Sequence, residues 1–232
     1  LTGFGPNPNL NGVHLNTVQV RSKEPSMTMA DTPTPTADAD APVARRRSTT
    51  TDIALIAAFA ALISACAYIG AIPAGGSGVP ITLQTFGVML AGCVLGPVRG
   101  FLAVSLYLLL GILGLPVFAE HSSGLGVFSG PSAGYLYAFP IAAALAGFLV
   151  KYVARERRTR AIWVFACSIT ASILVIHPMG IAGMKLYFDV SWHEAFTYDT
   201  PFWLGDILKT ALVALIAAEV FRAFPWMQRI DR

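Results

Sequence analysis

Two residues in the last long apolar run of the chain, Asp206 and Lys209, are of types that do chemistry and seldom lie in such a setting. Placing an isolated carboxylate or ammonium deep in a membrane costs about 2.5–3.5 kcal/mol on insertion scales, so ionisable residues there are by default candidates for function. Three residues apart, they share one face of a helix, and their opposite charges offset part of each other's cost. They offer an acceptor carboxylate beside a donor ammonium. That suits a neutral ligand carrying N–H donors next to a carbonyl. A structural ion pair with Lys209 snorkelling outward accounts for the same two residues, and the spacing alone does not separate the readings. Glu219 and Arg222 repeat the spacing where the apolar run ends and read as an interfacial pair.

Other candidate chemistry is weaker. Glu120 with His121, then His177, then His193 with Glu194, are scattered, and no HExxH or paired-His spacing points to a metal. The glycine-rich stretch 124–130 lacks the Lys-Ser/Thr ending of a phosphate loop, so this chain is not expected to bind ATP itself. No GxSxG elbow marks a nucleophile. Cys66, Cys93 and Cys167 are odd in number, lie inside apolar runs and form no CxxC, which argues against a disulfide frame or a zinc site. No catalytic residue and no cofactor are expected.

The elements that must position Asp206 and Lys209 follow from composition. Of 232 residues, 55% are hydrophobic and only 12% charged, against about 25% charged in soluble domains. The net charge of +3 gives no support for nucleic-acid binding. Residues 1–51 read as a polar, disordered leader, because the Pro/Thr/Ala/Asp tract from Asp31 to Pro42 cannot bury enough surface to fold. Met27 and Met29 within it are candidate starts, and Arg45–Arg47 precede the first apolar run. Residues 52–222 read as a six-helix membrane domain and 223–232 as a short cytoplasmic tail.

Six runs fit transmembrane helices: about 52–71, 83–95, 98–113, 132–153, 161–181 and 201–221. With the N-terminus inside, twelve basic residues fall on the inner side and only Lys185 on the outer, which places both termini in the cytoplasm. Counted from Pro201 at 1.5 Å per residue, Asp206 then lies about 8 Å and Lys209 about 12 Å below the outer end of the last helix. Two outer loops, 73–82 and 116–131, are rich in glycine and proline yet not very polar, as expected of irregular backbone capping a pocket. Ala57, Ala61 and Ala65 recur every four residues on the first run, and Gly92, Gly96 and Gly100 repeat the spacing, although they run into a turn; such spacing lets helices approach closely, within the chain or against a partner. Trp192, Trp203 and Trp226 fit interfacial belts.

Five segments in order resemble the BioY family. They are Val79-Pro80-Ile81-Thr82-Leu83-Gln84-Thr85, Leu95-Gly96-Pro97-Val98-Arg99-Gly100, Gly114-Leu115-Pro116-Val117-Phe118, Gly130-Pro131-Ser132-Ala133-Gly134-Tyr135 and Pro201-Phe202-Trp203-Leu204-Gly205-Asp206-Ile207-Leu208-Lys209. The family comprises substrate-binding components of energy-coupling factor (ECF) transporters for biotin. The resemblance implies a six-helix bundle in the bacterial cell membrane with an occluded site near its outer face, and biotin as transported ligand. It also implies a transmembrane scaffold subunit and two ATPase subunits as partners. It assigns Asp206 and Lys209 to the ligand's head group, Gln84 and Tyr135 to the pocket, and Ala57, Ala61 and Ala65 to docking on the scaffold. Ser122 and Ser123 stand where members often carry a glycine-rich loop, sometimes with an Asn, and become candidate contacts; backbone N–H groups of 124–130 are candidates for the ligand carboxylate. Glu120 departs from that pattern: beside a ligand carboxylate it repels, so either it points to solvent or the loop's contacts differ. A different vitamin, a precursor such as dethiobiotin, or a membrane-embedded enzyme using Asp206 and the histidines remain as alternatives.

Overall fold

The computed structural model describes residues 49–69, 71–73 and 78–224. The expectations for the leader, for Arg45–Arg47 and for Trp226 lie outside those residues. Among them are six helices: α1 (Thr49–Tyr68), α2 (Gln84–Leu95), α3 (Pro97–Ile112), α4 (Ala133–Val153), α5 (Ala161–Phe188) and α6 (Trp192–Ala223). Chains of apolar residues with satisfied internal hydrogen bonds are the only open-ended solution for a backbone in lipid, and α1, α4 and α5 are long and apolar enough to cross a membrane. At 12 and 16 residues, α2 and α3 extend only about 18 and 24 Å, short of a hydrocarbon core about 30 Å thick. Both start from the tight turn at Gly96, so their far ends stop below the opposite face and leave a recess there. Loops fill that recess. Between α1 and α2, Ile72–Pro73 pair antiparallel with Pro80–Ile81. Between α3 and α4 run two 3₁₀ turns, Ala119–His121 and Leu125–Ser129.

Small residues set the helix spacing. A Cβ on Gly92 would lie 2.3 Å from the Ala143 carbonyl oxygen, one on Gly100 2.7 Å from Gly92 Cα, and one on Gly147 2.6 Å from the Gly92 oxygen. Gly92 and Gly100 are therefore spent on packing α2, α3 and α4 together, while Gly96, at φ 83°, makes the turn and has nothing within 4 Å of its Cβ position. Ala57, Ala61 and Ala65 are all exposed on α1. The three cysteines are free and buried.

The basic residues gather at one end. Arg99 Nε meets Asp52 Oδ1 at 3.1 Å, tying the start of α3 to the start of α1. Arg158 donates to the Lys151 carbonyl at 3.1 Å and lies over the Phe221 ring near the end of α6. This is the cytoplasmic end, and the recess with its loops faces outward.

Two helix boundaries differ from expectation. α6 begins at Trp192, nine residues before Pro201. Ser191 and Glu194 form a reciprocal capping box, in which the Ser191 Oγ accepts from the Glu194 N–H (3.2 Å) and Glu194 Oε2 from the Ser191 N–H (3.0 Å). Pro201 lies inside the helix, so the depths of 8 and 12 Å counted from it do not hold: Asp206 is about 21 Å along the axis from Trp192. α5 likewise continues past 181. Pro178 cannot donate to the preceding turn, and the helix absorbs this in a π-turn at Ser172–Ile176 before resuming through Phe188.

Candidate functional site

The outward recess closes over a cavity of about 210 Å³. Its floor comes from α2 and α6, its side from α4, and its roof from the two loops. Asp206 and Lys209 both line it, joined by Thr85 of α2. Lys209 Nζ donates to Asp206 Oδ1 at 2.9 Å and to Thr85 Oγ1 at 3.2 Å, while the Thr85 hydroxyl donates to the same Asp206 Oδ1 at 3.0 Å. The carboxylate is 6% exposed and the ammonium side chain 11%, so neither snorkels to water. Two groups, the Lys209 ammonium and the Thr85 hydroxyl, thus meet at one carboxylate oxygen and leave Oδ2 facing elsewhere, 3.8 Å from His177 Nε2.

Gln84 and Tyr135 line the same cavity. The Gln84 side chain is paired with the buried Tyr107 hydroxyl, its amide donating at 2.7 Å, and that contact fixes its direction. Tyr107 in turn meets Phe118 edge-on, with ring centroids 5.5 Å apart. Phe118 needs Gly111 beneath it, where a Cβ would lie 2.1 Å from its ring. Val79, Phe118, Val127, Phe139 and Phe202 make the wall away from Asp206 largely apolar.

The loop candidates divide. Ser122 lines the cavity, with its hydroxyl donating to the Ala119 carbonyl at 2.7 Å; Ser123 is exposed and does not line it. Glu120 stands at the rim and is exposed, with a left-handed φ of 56° that L residues seldom adopt. His121, at φ 59°, turns its ring edge-on to Tyr68 of α1. The backbone donors expected in 124–130 are partly spent: the Gly124 N–H goes to Gly111 O at 2.8 Å and the Gly130 N–H to Val127 O at 3.3 Å. Among the described residues no cluster of three or more His, Cys, Asp or Glu has a metal-binding arrangement.

A second polar network escaped the sequence reading. Asp199 is fully buried and accepts from the Tyr135 hydroxyl (2.5 Å) and from Trp203 Nε1 (2.7 Å), with His177 Nδ1 at 2.8 Å. Trp203 stacks on the His177 ring with centroids 4.5 Å apart. It is therefore a packing partner of this network and not an interfacial belt residue. The signal was present in Asp199 and Asp206, seven residues apart and so on one helix face, but only for a helix that starts before Pro201.

A cavity of this shape, closed by the loops after α1 and α3 and floored by a charged pair on α6, is lined from four of the five sequence segments, while Leu95–Gly100 makes the turn at the opposite end. The profile of the BioY family matches residues 38–226. The chain belongs to the BioY family. "Biotin transporter BioY" of Rhodobacter capsulatus is 40% identical over 186 residues, covering 75% of this chain and 95% of its own length. "Biotin transporter BioY" of Rhizobium etli is 33% identical over 180 residues, covering 76% of this chain and 96% of its own. The fold is similar to a crystal structure of the S-component for biotin from an ECF-type ABC transporter, with a TM-score of 0.71 and 25% identity over 76% of this chain and 95% of that one. BioY proteins are transporters, and this member is a multi-pass protein of the bacterial cell membrane and not an enzyme.

Proposed function

We propose that this BioY-family chain is the substrate-binding component of an ECF-type biotin importer. It captures biotin at the outer face and delivers it inward when a transmembrane scaffold and two ATPases drive its movement. Biotin is the substrate named for the relatives from R. capsulatus and R. etli, and an ECF-type transporter is the assembly named for the similar crystal structure.

The observation that carries the reading is the Asp206–Thr85–Lys209 triangle at the cavity floor. Biotin's ureido ring has two N–H donors beside one carbonyl. An ionised carboxylate only accepts and an ammonium only donates. Asp206 accepts from one of the N–H groups through Oδ2, and Lys209 gives its third N–H to the carbonyl. The head group adds no net charge to a buried pair, so no ion is left without a partner. The thiophane ring and valeryl chain lie along Phe118, Val127, Phe139 and Phe202, where four chain methylenes contribute about 3 kcal/mol at ~0.8 each. Gln84, Tyr135 and Ser122 complete the polar lining. On this reading Glu120 faces solvent at the rim, clear of the ligand carboxylate.

Ala57, Ala61 and Ala65 form the docking stripe for the scaffold. They are exposed small residues on α1, while Gly92 and Gly100 are already occupied within the chain. Uptake of tritiated biotin by cells lacking their own biotin transport, expressing this chain with an ECF scaffold and ATPases, tests the proposal. Energy-dependent accumulation is expected, and Ala61→Leu keeps biotin binding but loses accumulation. No accumulation together with no biotin bound to the purified chain contradicts it.

A further inference from the structure

His177 lies just behind the cavity floor, on α5, and is 3% exposed. The π-turn at Ser172–Ile176 immediately before it and Pro178 immediately after place it where a regular helix would not. Three neighbours, all on α6, hold its ring. Asp199 Oδ2 meets Nδ1 at 2.8 Å, Trp203 covers one face, and Asp206 Oδ2 stands 3.8 Å from Nε2. Tyr135 of α4 reaches the group only through Asp199, and Lys209 only through Asp206.

The buried carboxylates give this arrangement a purpose. Asp199 is approached by a hydroxyl and an indole N–H besides the imidazole, the pattern of a carboxylate acting only as acceptor. Asp206 is a second buried carboxylate, and Lys209 supplies a single positive charge. A buried carboxylate is strongly disfavoured unless other groups surround it. The His177 ring stands between the two, with a carboxylate at each nitrogen and Trp203 stacked on one face.

We propose that His177 is a positioning residue for ligand recognition, whose ring bridges Asp199 to Asp206 and holds Asp206 Oδ2 aimed at a ligand N–H donor. The inference rests on the head-group reading above. It accounts for the direction of Oδ2, which neither Thr85 nor Lys209 contacts.

The test compares biotin binding by the purified full chain carrying His177→Asn, His177→Gln or Asp206→Asn, and the double change His177→Asn with Asp206→Asn. Asn places its amide near the Nδ1 position and keeps the Asp199 contact; Gln reaches toward the Nε2 position and the Asp206 contact. H177N is expected to weaken binding about tenfold or more, with H177Q recovering part of it. In the D206N background H177N should cost almost nothing further, because its effect passes through Asp206. A residue that only packs would lower affinity equally in both backgrounds. If wild-type protein binds biotin and H177N binds as tightly, the role given to His177 is overturned and the head-group reading stands. If the wild type does not bind biotin, both fall. Nitrogen-15 NMR of histidine-labelled chain, with His14, His121 and His193 changed to Gln, keeps the proposal testable should the variants at 177 fail to fold. A shift of the His177 ring-nitrogen resonances on adding biotin is the expected result, and resonances unmoved at saturating biotin overturn it.

Discussion

The last helix carries the same pair twice. Asp206 with Lys209 and Glu219 with Arg222 are each a carboxylate followed three residues later by a cation, bonded to one another on α6. Their surroundings differ. The first pair is nearly enclosed and shares its carboxylate oxygen with Thr85 of a neighbouring helix, whereas the second is 67% and 52% exposed at the cytoplasmic end. Spacing makes the pair, but burial decides what it costs and what it can do. An exposed pair contributes little, because water screens it and two long side chains lose freedom to form it. A buried pair is expensive unless other groups complete it, and a neutral ligand bearing both donors and an acceptor is such a completion.

This contrast can be broken by experiment. Removing one partner of the inner pair has the largest effect: Lys209→Ala leaves an uncompensated buried carboxylate, and biotin affinity should fall by about a hundredfold or more by equilibrium binding. Thr85→Val comes next. It deletes the hydroxyl linking the two ions without changing charge, and should cost about tenfold in affinity, with Thr85→Ser close to wild type. Ser191→Ala acts on the helix and not on the pair. Loss of the capping box should lower the thermal midpoint by about 2–4 °C while leaving affinity unchanged. Smallest is Arg222→Ala, which should move affinity by less than about twofold, as expected for an exposed pair.

What could be read from the sequence follows the same division. Asp206 and Lys209 stood out because charge inside an apolar run is costly, and that argument needs no neighbours. The six helices were equally visible, since length, hydropathy and the placement of arginines are local properties. Thr85 was not visible as a site residue, because its role depends on α2 lying against α6, 121 residues away in sequence. Asp199 and His177 were missed for a different reason. Pro201 opens the last expected run, which leaves Asp199 outside it, and Pro178 lies within the fifth run, close to its expected end at 181. In the fold each proline sits inside a continuing helix, one with an early capping box and the other with a π-turn, so the polar residues beside them point inward. Ser191 followed by Glu194 was the local signal that α6 starts early. The two small-residue stripes show the same limit. Their spacing is identical, yet only the folded chain reveals that Gly92 and Gly100 are occupied and the alanines of α1 are not.

The most direct test is isothermal titration of biotin into three purified proteins side by side: wild type, Asp206→Asn and Glu219→Gln. Tight saturable binding by the wild type and by Glu219→Gln, with affinity about a hundredfold weaker but still measurable in Asp206→Asn, is the predicted result. Equal affinity in all three would mean that the enclosed pair is merely structural, and the central claim would be wrong.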